Sequence, residues 1–165
     1  MKRGNQREGR TIRRPFLLLL LAAAFVTLLS GCAGFFSGVP RFAQVSETPR
    51  APGAYSRSTV YGGMLFTSGV FPSDRLTGNV MRGDITAQTH RVLDSLEAIL
   101  SGAGCTMKDV VEVNIYLLDF ADQEGMNEVI AARLGGNRPL RTTVPVAKLP
   151  GPALLEVDFV ARVPQ

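Results

Sequence analysis

The sequence has 165 residues, 45% of them hydrophobic and 19% charged, with two cysteines, one histidine and no tryptophan. That composition excludes a chain too polar to bury a core, a disulfide-stapled miniprotein and a Cys/His metal site. The net charge of +4 is uneven: the first 31 residues hold six of the 18 basic and one of the 14 acidic side chains, which leaves 12 basic against 13 acidic. The remainder therefore lacks the basic stripe that nucleic-acid binding normally shows.

In chain order, residues 1–31 read as an export signal. A basic head carries Lys2, Arg3, Arg7, Arg10, Arg13 and Arg14, and the apolar run over residues 16–29 is shorter than a comfortable membrane span of about 20 residues. The run closes on Leu29-Ser30-Gly31-Cys32, the pattern at which bacterial lipoprotein precursors are cut and acylated. The expectation is a lipid on Cys32 that anchors an exported chain on the periplasmic side of a membrane. Ala33 after the cysteine points to the outer membrane by the enterobacterial sorting rule. An uncleaved signal anchor is the competing reading, and it too places the domain outside the cytoplasm. Arg13-Arg14 resembles a twin-arginine export motif and leaves the route open between that pathway and the general one. Residues 32–52, rich in Gly, Ser and Pro and without a sustained period, read as a tether, and 53–165 as one folded domain.

Within the domain, residues 59–61 and 64–68 flank Gly62-Gly63, a two-residue hairpin signal. A loop carrying Pro72, Asp74, Gly78 and Gly83 follows. Asp84 caps a helix in which Val92, Leu93, Leu96, Ile99 and Leu100 recur at helical spacing until Gly102 and Gly104 stop it. Val111, Val113, Ile115 and Leu117 alternate with Glu112, Asn114 and Tyr116, which predicts a half-buried strand. A weaker helix is expected over 121–134 around Met126, Val129 and Ile130, with Gly125 counting against it. Strands over 142–148 and 154–163 end the chain, separated by Leu149-Pro150-Gly151-Pro152. The order β-β-α-β-α-β-β predicts an α+β fold, one mixed sheet with both helices on one face and the other face left for a partner subunit. Cys105, with no disulfide partner once Cys32 is acylated, is expected to be structural, and His90 to be a solvated residue on a helix flank.

Four segments carry a family resemblance: Ala54-Tyr55-Ser56; Leu65-Phe66-Thr67-Ser68-Gly69; the helix ending in Gly102-Ala103-Gly104; and Pro139-Leu140-Arg141-Thr142 with Val146-Ala147-Lys148-Leu149-Pro150 and Leu155-Glu156-Val157. In their order and spacing, residues 51–163 resemble the RidA/YjgF family of reactive-intermediate deaminases. The resemblance implies a chorismate-mutase-like α+β fold and a homotrimer whose sheets form a central barrel, with active sites in the clefts between subunits. It further implies hydrolysis of enamine and imine acids such as 2-aminoacrylate to 2-keto acids and ammonia, with no cofactor or metal. An imine carbon is already electrophilic, so the protein has only to hold the substrate carboxylate, place a water and move protons. By resemblance Arg141 is the carboxylate anchor, a task to which its planar fork is suited. Glu156 orients water and relays a proton, and Tyr55, Ser68, Gly69 and Asn127 contact substrate.

Some residues depart from the family's pattern. Val70 stands where glutamine is usual, Gln123 where an aromatic residue covers the substrate, and Ile130, Arg133 and Leu134 where a tyrosine and a Phe pair follow the asparagine. The expectation is retained carboxylate binding with altered substrate selection. A non-catalytic trimer that binds a small carboxylate or metabolite in the cell envelope is the alternative. Ribonuclease activity, attached to some relatives, fits poorly with a near-neutral domain.

Overall fold

Gly62 and Gly63 take φ angles of 59° and 78°, the two positive values that let a two-residue turn match the twist of its strands. They join β1 (Ser58–Tyr61) to β2 (Met64–Thr67) as an antiparallel hairpin. The computed structural model describes residues 55–164 other than Arg75, so the expected signal, Cys32 and the tether lie outside the described residues.

Helix α1 (Ile85–Gly102) starts where expected, with the Asp84 carboxylate accepting the Ala87 N–H at 2.8 Å. It ends in two crossed bonds, Cys105 N–H to the Leu100 carbonyl and Gly104 N–H to that of Ser101, with Gly104 at φ 74°. This C-cap needs a left-handed residue, and glycine adopts that conformation without a Cβ clash. Strand β3 (Val110–Leu117) corrects one expectation: Val110 is buried and Val111 is 39% exposed. One extra residue sits between the pairs Val110↔Ala161 and Glu112↔Val160. Such a bulge breaks the alternation once, so Val110 replaces Val111 on the inner face.

A 3-10 turn (Phe120–Asp122) leads into α2 (Gln123–Leu134), which buries Met126, Val129, Ile130 and Leu134. A Cβ on Gly125 would stand 3.0 Å from Ile85 Cγ2. The residue that weakens the sequence signal for α2 is thus the one that lets its first turn approach the start of α1. At its far end Arg133 reaches Asp94 at 2.9 Å and Glu97 at 2.7 Å on α1.

Strand β4 (Leu140–Pro145) runs parallel to β3, and β5 (Leu155–Arg162) lies between β2 and β3. β4 starts and stops earlier than residues 142–148 because it pairs only as far as its partner lasts: Leu140↔Glu112 to Pro145↔Leu117. Beyond Leu117 the partner chain turns away. The five strands form one mixed sheet in the order β1-β2-β5-β3-β4, which agrees with the α+β expectation. Leu65, Ile115, Val157 and Phe159 point from the sheet into the core with both helices.

No described element covers the opposite face. Cross-strand register places Phe66, Val160, Glu112 and Leu140 in one row, Asp158, Asn114 and Thr142 in the next, and Glu156, Tyr116 and Val144 in a third. Leu140 is 74% exposed, and Tyr61, Phe66 and Val144 are exposed too.

Gln88 ties the two loops that frame the end of this sheet. Buried to 2% exposure, its amide nitrogen donates to the carbonyls of Met81 (3.2 Å), Gly83 (3.3 Å) and Pro152 (3.0 Å), and its oxygen accepts the Leu154 N–H at 2.8 Å. Gln88→Leu conserves bulk but strands these buried groups, so it should lower unfolding free energy by about 1–3 kcal/mol. Denaturant titration checks it, with the midpoint expected to fall at constant slope. A variant as stable as the parent would show that water replaces the amide.

Candidate active site

Arg141 is the second residue of β4 and pairs with Val113, so its side chain leaves the sheet on the helix-covered side, near the exposed edge strand. Its Nη1 donates to Asn127 Oδ1 of α2 at 2.6 Å. The sequence-predicted anchor and its asparagine therefore do meet. One amide oxygen fixes the guanidinium while the rest of the fork stays exposed. Thr143, two residues on along the same face, has a buried hydroxyl with no hydrogen-bond partner among the described residues. Sequence reading missed it, although strand alternation places it beside Arg141.

Glu156 lies on the other face. In β5 it pairs with Tyr116, and its carboxylate rests on Gly69 just beyond β2: a Cβ built on Gly69 would fall on Glu156 Oε1. Burial, and next the nearby Asp158 carboxylate, push the Glu156 carboxyl above the ordinary glutamate range. Asp158, whose Oδ1 accepts from Asn114 Nδ2 at 3.0 Å, together with burial and Glu156 also pushes the Tyr116 phenol up. A low-dielectric carboxyl beside a second carboxylate holds its proton more tightly than in water, which suits a group that both accepts and returns one.

The structure thus brings Gly69 to Glu156 and Asn127 to Arg141, but it does not bring the two pairs together within one chain. Three residues along β3 and two strand spacings separate them, about 14 Å between Cα atoms, with the side chains on opposite faces. Ser68, half-buried, is held by its N–H on the Arg57 carbonyl at 2.8 Å. Tyr55 stands exposed ahead of β1 and makes no hydrogen bond to either pair.

A family model described as endoribonuclease L-PSP matches residues 45–163. The chain belongs to this family, the RidA/YjgF family that its motifs resemble. The L-PSP relatives include a RutC family protein of Pyrococcus horikoshii, 41% identical over 115 residues that cover 70% of this chain and 91% of the relative. The 3-aminoacrylate deaminase RutC of Acinetobacter baylyi is 37% identical over 116 residues, 70% of this chain and 92% of that one. Among solved structures, RidA from the Antarctic bacterium Psychrobacter sp. superposes with a TM-score of 0.70 at 32% identity, covering 74% of this chain and 99% of that one.

Against the family's pattern, most departures prove to be packing. Val70, Ile130 and Leu134 are buried in the core, and Arg133 is engaged by Asp94 and Glu97. Within one chain these four side chains are thus taken up by the core and by α1. Gln123, half-buried at the start of α2, remains a candidate for altering substrate selection. His90 is exposed, as expected. Cys105 is buried at 3% exposure with its Sγ near the carbonyls of Ala103 and Arg162, and burial raises its thiol pKa, which favours the neutral thiol of a core residue.

Proposed function

We propose that this L-PSP family chain hydrolyses small enamine or imine acids to the corresponding oxo acids and ammonia. The observation that carries the reading is an exposed arginine fork set by Asn127, together with a carboxyl on Gly69 whose proton is held above the ordinary range. Arg141 holds the substrate carboxylate by two parallel charge-assisted bonds. Glu156, as carboxylate, takes a proton from the water that attacks the imine carbon, and as acid gives it to the departing amine, so that water and imine become oxo acid and ammonia. The 37%-identical relative named for 3-aminoacrylate deamination supports the substrate class.

Because the two pairs occupy opposite faces, the working site is composite: Arg141, Asn127 and Thr143 of one copy meet Ser68, Gly69 and Glu156 of the next. Such a site accounts for the uncovered sheet face and supports assembly as a trimer, with Tyr55 closing the cleft. The test joins both statements. The purified full-length chain in mild detergent should sediment as a trimer, and should accelerate oxo-acid release from enzymatically generated 2-aminoacrylate or 3-aminoacrylate over the spontaneous rate. A stable monomer at micromolar concentration would remove the composite site. A trimer that binds oxo acids without accelerating their release is instead a binding module.

Export remains part of the proposal: residues 1–31 direct the chain out of the cytoplasm, Cys32 carries the lipid, and the domain faces the periplasm at the outer membrane. Cys32→Ser should abolish incorporation of labelled fatty acid and leave the precursor full-length on a gel. Labelling that persists in this variant would refute the anchor.

A further inference from the structure

Two ladders meet on β5 out of step. Counted from Phe66↔Val160, Phe159 stands opposite Thr67; counted from the bridge Val70↔Val157, it stands opposite Ser68. Two residues of one segment therefore face one of the other, which defines a bulge. Both ends of it are pinned. Val70 and Val157 exchange backbone bonds of 2.9 and 3.1 Å, and the Ser68 N–H continues the β1–β2 ladder to the Arg57 carbonyl at 2.8 Å.

The Phe159 N–H, which would otherwise have no β2 partner, donates to Thr67 Oγ1 at 2.9 Å. A side-chain hydroxyl has taken the place of a strand carbonyl. One extra residue inverts every later side chain, and the consequences are visible on both faces: Val70 turns into the core, and Gly69 turns to Glu156.

We propose that Thr67 is a positioning residue for Glu156, its hydroxyl holding open the bulge whose glycine seats the carboxylate. The inference rests on the deaminase reading for its catalytic consequence and on geometry alone for its structural one. The charged and titratable groups that face Glu156 are Asp158 on its own strand and Tyr116 on β3, while the β2 side offers Ser68 and Gly69, which carry no charge.

The experiment compares Thr67→Val, which keeps the shape and loses the acceptor, with Thr67→Ser, which keeps the acceptor, in the full chain. Two readouts are taken: kcat and KM for imine hydrolysis, and the titration of Glu156 by carboxyl carbon NMR. Thr67→Val should lose roughly 10- to 100-fold in kcat with KM little changed, and its Glu156 should titrate closer to an ordinary glutamate as water enters the seat. Thr67→Ser should restore both. A folded Thr67→Val with the parent's kcat and the parent's Glu156 titration overturns the proposal. Where Thr67→Val does not fold, Thr67→Ala, which removes the acceptor with less bulk, is judged by the same two readouts and the same criterion. A parent chain without imine hydrolysis sinks the deaminase reading only, since the titration alone then decides whether Thr67 sets Glu156.

Discussion

Replacing Arg141 with alanine is expected to cost roughly 2–4 kcal/mol of transition-state stabilisation, about 30- to 1,000-fold in kcat/KM. The guanidinium is exposed on an edge strand and held by Asn127 Oδ1 at 2.6 Å, so its loss removes a preset anchor and leaves no buried charge behind. Arg141→Lys keeps the charge but not the planar fork, and it should recover little of the rate. The measurement is oxo-acid formation from 2-aminoacrylate, with sedimentation to verify that each variant assembles as the parent does. An assembled Arg141→Ala with parental activity would refute the assignment of the anchor.

Gly69→Ala should be nearly as damaging, through the opposite half of the site. The added methyl would fall on Glu156 Oε1 and stand 2.6 Å from its Cδ and 2.9 Å from its Cγ, distances that force the carboxylate to rotate away. Turnover should drop about 100-fold, the scale of a misplaced catalytic group, while oxo-acid affinity, which depends on Arg141, is retained. The pH dependence should move as well. Glu156 in the folded chain titrates above its ordinary value, so the limb of the rate profile that needs its carboxylate lies at higher pH than an exposed glutamate would give. Displaced into water by Gly69→Ala, it should shift that limb down. Linkage has a definite sign here: a raised folded-state pKa means the native chain binds the proton more tightly, so Glu156 favours folding less as pH rises through the interval between the two values. Equal affinity and unaltered turnover in Gly69→Ala would show that Glu156 is not the proton-handling group.

Most of the fold could be read from the order of elements, because each carries a local signal: paired glycines at the hairpin, Asp84 and Gly104 at the ends of α1, strict alternation in β5. The misreadings share a different cause. Val111 against Val110, and the limits of β4, depend on which strand lies alongside, and no local pattern encodes the neighbour. The site divides in the same way. Arg141, Asn127, Glu156 and Gly69 were named through motif resemblance, and the structure pairs Arg141 with Asn127 and Glu156 with Gly69. Residue order could not reveal that the pairs lie on opposite faces. Thr143 and Thr67 look like ordinary strand threonines until burial and a 92-residue hydrogen bond single them out. Gln123 and Arg133 are departures that stay half-buried, while Val70, Ile130 and Leu134 show that a changed motif residue can answer to the core.

The sheet order β1-β2-β5-β3-β4 places the last strand at the centre. The hairpin β1–β2 and the parallel pair β3–β4 have no edge in common until β5 enters between them, so neither half can complete a core as it emerges from the ribosome. Every strand pairing that joins the halves runs through β5 and closes a long loop, whose entropy must be overcome before the sheet contributes as a whole. The sheet is therefore completed only when β5 enters between the two strand pairs, whatever the hairpin and the helices have formed before it.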